Sequence, residues 1–172
     1  MKKINVGILI FNEVEVLDFA GPYEVFSRTR LEKGAESRKS NDSAPFKVFT
    51  VSVNDKTIKA TGGLKVISDY TFFNSPKIDI LIIPGGYGTR PLLNNEDVLN
   101  WIKSISNDSE IISSVCTGSL LLAKAGLLDG KRATTHWGAI GALKSINKNI
   151  QVIDNRRIVN DEIITSAGVS SG

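Results

Sequence analysis

The 172-residue chain has one cysteine and one histidine. A single cysteine excludes an intrachain disulfide, and cytoplasmic residence is the expectation. One Cys and one His also fall short of a zinc ligand set, so no metal and no cofactor are expected. Long apolar runs are missing too. No segment approaches the ~18 apolar residues of a membrane helix. Met1-Lys2-Lys3 leads into a run too short and too alternating for a signal peptide. Nor is charge of one sign concentrated. The net charge is +3, but bases alternate with acids, as in Arg28, Arg30, Glu32, Lys33, Glu36, Arg38 and Lys39. Such interleaving makes a solvated surface, whereas nucleic-acid binding needs a clustered basic face. The sequence shows no repeats, low-complexity tracts or interdomain linkers.

What is there is a globular composition, 41% apolar and 23% charged, long enough for one substantial core. Ile4 to Phe11 is an apolar run broken only at Asn5 and reads as a buried strand. Gly21-Pro22 predicts a helix beginning at Pro22, because proline fits a first helical turn. Lys33 to Pro45 reads as a polar loop, Phe46 to Val53 as a strand, and Ile58 to Ile67 as a hairpin about Gly62-Gly63. Ile78 to Ile83 is a second apolar strand. Val98, Trp101, Ile102 and Ile105 sit at helical spacing within Asn95 to Asn107. Glu110 to Val115 is a third buried strand, and Ser119 to Ala125 a helix stopped by Gly126. This alternation predicts an α/β fold, a mostly parallel sheet covered by helices on both faces. After the strand-like Ile163-Ile164-Thr165, Ser166 to Gly172 reads as a strand-to-helix turn with no helix behind it. The expectation is one domain over residues 1–172 lacking its C-terminal helix or helices; a short tail is the alternative.

Three segments carry candidate chemistry. In Ser114-Val115-Cys116-Thr117-Gly118, a buried strand runs into the cysteine and a helix leaves after it. Small residues two before and two after are what a nucleophile elbow requires. A helix start beside the sulfur favours thiolate, so Cys116 is expected to be partly exposed with a lowered pKa. The competing reading is a packed structural thiol. Pro84-Gly85-Gly86-Tyr87-Gly88 closes an apolar strand, where paired glycines turn amides toward an anion or simply make a tight turn. Neither this turn nor Gly126 to Arg132 has the spacing of a nucleotide-binding loop. Asp18, near the first strand-to-helix turn, is a site carboxylate or a helix cap. His136 offers a superficial Cys-His pair with Cys116, or packs under a helix start.

Leu17-Asp18-Phe19-Ala20-Gly21-Pro22, Ile83-Pro84-Gly85-Gly86, Ser114-Val115-Cys116-Thr117-Gly118-Ser119 and Ala133-Thr134-Thr135-His136-Trp137 together resemble the ordered motifs of the DJ-1/PfpI superfamily, which is class I glutamine amidotransferase-like. The isonitrile hydratase branch is the nearest in pattern, and the sensing domains of some AraC-type regulators share the motifs. The resemblance covers essentially the whole chain. It implies a flavodoxin-like sandwich, usually a homodimer, and a further helix after the turn here spanning Gly168 to Gly172. It implies Cys116 as nucleophile, Asp18 as its carboxylate and Thr117 beside them. Gly85, Gly86 and Gly118 would serve oxyanion or substrate binding. Thr117 stands where peptidase-like members carry histidine, which disfavours proteolysis. The implied activity is hydration of isonitriles to N-substituted formamides through a Cys116 thioimidate. A ligand- or redox-sensing domain is the alternative, as are glyoxalase, deglycase or amidase chemistries. The implied partner is a small-molecule substrate, with no membrane, and with nucleic acid only if a DNA-binding domain follows.

Overall fold

The computed structural model describes residues 2–172. Its strands are β1 (Ile4–Leu9), β2 (Phe46–Ser52), β3 (Thr57–Lys59), β4 (Lys65–Ile67), β5 (Tyr70–Thr71), β6 (Ile80–Ile83), β7 (Ile111–Val115), β8 (Arg132–Ala133), β9 (Gln151–Val152), β10 (Ile158–Asp161) and β11 (Ile163–Ser166). The helices are α1 (Val16–Arg28), α2 (Thr89–Leu92), α3 (Glu96–Asp108), α4 (Gly118–Lys124) and α5 (Ile140–Ile146).

The strands read from the sequence, joined at the two edges by β5 and β10, which were not read there, pair as a seven-stranded sheet in the order β10-β11-β7-β6-β1-β2-β5. Every pairing in it is parallel except that of β10 with β11. The parallel core β2-β1-β6-β7-β11 has the strand order of a flavodoxin-like doubly wound sheet. Such strands are covered on both faces, which is why all four residues of β6 are buried and apolar. Ile80 and Ile82 line one face beside Phe26 of α1. Strand alternation then turns Leu81 and Ile83 to the other face, where α4 packs against β6 and β7. On the α1 face an apolar groove of about 490 Å³ runs across β6, β7 and β11 to Gly172. Ser166 to Gly172 itself leaves β11 through a short 3₁₀ turn at Val169–Ser171.

The hairpin expected about Gly62-Gly63 is the antiparallel pair β3–β4, and both glycines have positive φ at the bend. The first helix differs from expectation. It begins at Val16, with Pro22 inside it. An internal proline forfeits one backbone bond, but this helix is fastened by burial. Phe19 and Pro22 are buried, and Phe26 meets Phe46 edge-on at 4.9 Å. Because the helix starts early, Asp18 lies in its first turn rather than ahead of it. No helix among the described residues is long and apolar enough to cross a membrane.

Candidate active site

β1, β6 and β7 run parallel side by side, so the turns at their carboxyl ends converge. That crevice, at the point where strand order reverses, is where open α/β sheets bind ligands. Here it gathers Asp18 from the segment after β1, Gly85 and Gly86 from the turn after β6, and Cys116 from the end of β7.

Cys116 has φ +56°, the left-handed region that non-glycine residues rarely enter. Strain of this kind defines a nucleophile elbow, and the surroundings impose it. The Cys116 N–H donates to Ser166 O at 3.0 Å. Its carbonyl accepts from the Thr135 hydroxyl at 3.0 Å. The requirement for a small residue two positions on is steric: a Cβ at Gly118 would lie 2.0 Å from Ile83 O.

Asp18 is fully buried. Its Oδ2 accepts from the Gly85 N–H at 2.9 Å, so it anchors the neighbouring turn rather than capping a helix. Gly85 has no room for a side chain, since a Cβ would lie 2.9 Å from Asp18 Oδ2 and 2.6 Å from Thr117 N. The other carboxyl oxygen, Oδ1, is buried without a hydrogen-bond partner, although the carboxyl is near enough to Cys116 to shift its thiol. The Gly86 N–H donates to Thr117 Oγ1 at 3.0 Å, and the Thr89 hydroxyl donates to Gly86 O at 2.8 Å. The two glycine amides thus donate inward, to Asp18 and Thr117. The backbone N–H and hydroxyl of Thr117 are the groups that favour a Cys116 thiolate.

Burial raises the Asp18 carboxyl from 3.8 to about 6, against the Gly85 hydrogen bond, with Glu15 adding a smaller push upward. Burial also pushes the Cys116 thiol up to about 12, and the negative charge of Asp18 adds to this. The expectation of a partly exposed thiol with a lowered pKa is therefore corrected. Cys116 is 6% exposed, and desolvation outweighs the help of a short helix start. Between those two values the pair holds one proton and one negative charge.

A cavity of about 160 Å³ opens in front of the sulfur, lined by Glu15, Gly86, Tyr87, Arg90, Cys116, Thr117, His136 and Val169. Glu15, Tyr87, Arg90 and Val169 were not singled out from the sequence, where they belong to no recognisable pattern and only the fold brings them together. His136 lines this cavity as well. Its Nδ1 accepts from the Gly138 N–H at 3.2 Å, and no hydrogen bond joins its ring to the Cys116 sulfur among the described residues.

A doubly wound parallel sheet with a strained cysteine at the strand-to-helix elbow and a buried acid beside it defines a class of α/β cysteine proteins. Within it, the DJ-1/PfpI family pattern matches residues 4–172, and the chain belongs to that family. The chain is 35% identical over 171 residues to isonitrile hydratase of Pseudomonas putida, a match spanning 98% of this chain and 67% of that protein. It is 24% identical over 164 residues to the HTH-type transcriptional regulator GbdR of Pseudomonas aeruginosa, covering 95% of this chain and 42% of the regulator. A solved ThiJ/PfpI family protein from Pseudomonas syringae matches with a TM-score of 0.82 at 28% identity, over 99% of this chain and 65% of that one. The chain thus spans about two thirds of the hydratase and of the solved structure, and less than half of the regulator.

Proposed function

We propose that this protein hydrates isonitriles to N-substituted formamides, with Cys116 as nucleophile and Asp18 as acid and base. The observation that carries the reading is the buried Asp18–Cys116 pair, one carboxyl beside one thiol, with the His136 imidazole hydrogen-bonded to Gly138 rather than to the sulfur. An isonitrile carbon needs a nucleophile and a proton at the same atom. The singly protonated pair holds both. The sulfur adds to the terminal carbon, forming the C–S bond, and the pair's proton moves to that carbon, leaving a thioimidate and an Asp18 carboxylate. Water then adds its oxygen to the carbon and one proton to the nitrogen. As the C–S bond breaks, Asp18 takes the hydroxyl proton, the formamide departs and the pair is restored. Covalent catalysis of this kind divides one hard step into two easier ones, and a placed acid contributes roughly 10²–10⁴-fold.

The Thr117 N–H, which favours the thiolate, would steady negative charge on the sulfur as the bond forms and breaks. The 35% identity to a hydratase over nearly the whole chain supports the same reading. Consumption of p-nitrophenyl isocyanide, with the formamide as product, tests it. Cys116→Ala should abolish turnover and Asp18→Ala reduce it by about 10²-fold or more. Normal turnover in Cys116→Ala would defeat the covalent route. The match to GbdR favours a second reading, in which the same pocket senses a small ligand for a regulator. Ligand binding without turnover in the full-length protein would decide for it.

A further inference from the structure

The chemistry above leaves several groups around the Cys116 cavity without a role. Arg90 is the one whose position is both defined and unspent. Its guanidinium carbon lies 4.8 Å from the centroid of the Tyr87 ring. Among the described residues it forms no ion pair. Arg30 shows the contrast: its guanidinium is consumed by the carbonyls of Ser27, Thr29, Ser37 and Ser40.

The backbone beneath Arg90 is fixed. Gly86 bridges to Val14, the Gly88 N–H donates to Glu13 O at 3.1 Å, and a Cβ at Gly88 would lie 1.9 Å from Asn12 O. A planar fork of donors is therefore presented at the cavity from a rigid turn. The other charged or titratable side chains lining the cavity are Glu15, Tyr87, His136 and Cys116 itself, with Asp18 beside Cys116. Glu15 shares the cavity without pairing with Arg90.

We propose that Arg90 is a specificity-determining residue that binds a carboxylate on the substrate, so that the preferred electrophile is a small acid-bearing molecule. A guanidinium matches a carboxylate in two parallel hydrogen bonds, and such charge-assisted pairs are stronger than neutral ones. The cavity volume of about 160 Å³ suits a short chain between the reacting carbon and the carboxylate. The identity of the electrophile as an isonitrile rests on the hydratase reading; the anion selectivity does not.

Two probe pairs, each an anion against its neutral analogue, test this. Iodoacetate and iodoacetamide alkylate Cys116 by the same step: the S–C bond forms, iodide leaves with its electron pair, and the thiol proton passes to solvent. The ratio of iodoacetate to iodoacetamide rate constants should exceed that of a free small thiol at the same pH and salt. Arg90→Gln should lower the ratio about tenfold, and Arg90→Lys by less, because a point charge keeps attraction but loses the fork. Isocyanoacetate against its methyl ester supplies the turnover version, with the loss in Arg90→Gln appearing mainly in KM for the anionic substrate. Equal alkylation ratios in wild type and Arg90→Gln would overturn the proposal. An Arg90-dependent ratio without turnover of either isonitrile would leave anion recognition standing and remove the hydratase reading.

Discussion

The Gly86 N–H donates a 3.0 Å hydrogen bond to Thr117 Oγ1, tying the turn after β6 to the elbow after β7. This bond holds the cavity wall against the nucleophile. It also gives the threonine that follows Cys116 a structural task in place of the base a peptidase would carry there.

Thr117→Val keeps the shape of the side chain but removes the acceptor, leaving the Gly86 amide unsatisfied in a part-buried position. The expected loss is about 1–2 kcal/mol in urea unfolding. Thr117→Ser should recover most of it. Equal stabilities for Val and Ser variants would mean that the hydrogen bond contributes nothing.

The pH profile follows from the pair. Below the Asp18 value of about 6 both groups are protonated and no negative charge remains for attack. Above the thiol value of about 12 no proton remains to give. Activity should therefore rise through about pH 6 and hold well into the alkaline range, read as kcat/KM against pH. An acidic limb near 4, where an unperturbed carboxyl titrates, would contradict the assignment.

Asp18→Asn should act in two opposite ways on stability and turnover. Because the folded carboxyl lies above its ordinary 3.8, folding favours its protonated form. The resulting stabilisation is present below about pH 4 and is lost as pH rises through about 6. The neutral amide escapes that loss, so the variant should be more stable than wild type at pH 8 by up to about 3 kcal/mol, with the gap closing below pH 4. Its thiol, freed from the neighbouring carboxylate charge, should be alkylated by iodoacetamide faster than wild type at pH 8, while isonitrile turnover falls.

His136→Ala should change stability more than chemistry. The ring caps the short turn at Trp137–Ala139 through Gly138, and losing such a cap costs about 1 kcal/mol. Casein should remain uncleaved by both proteins. Casein hydrolysis lost in His136→Ala would revive a peptidase assignment.

Much of this was decided locally and so was legible in the chain. A buried strand, a cysteine flanked by small residues and a following helix specify an elbow whatever surrounds them, because the steric demand acts on adjacent residues; Gly118 against Ile83 O is that demand made visible. The apolar run of β6 and the largely apolar β1 likewise announced a parallel sheet, since strands buried on both faces are apolar nearly throughout. The start of α1 was misread because the proline rule is local, whereas the burial of Phe19 and the contact of Phe26 with Phe46 are not. Which side chains meet at the sulfur was decided only by the tertiary structure. Asp18 and Cys116 are far apart in sequence and adjacent because β1, β6 and β7 lie side by side. The direction of the thiol shift was also a tertiary matter. A helix start is visible in sequence and lowers a thiol pKa, but desolvation sums over every neighbour in space, and here it prevails.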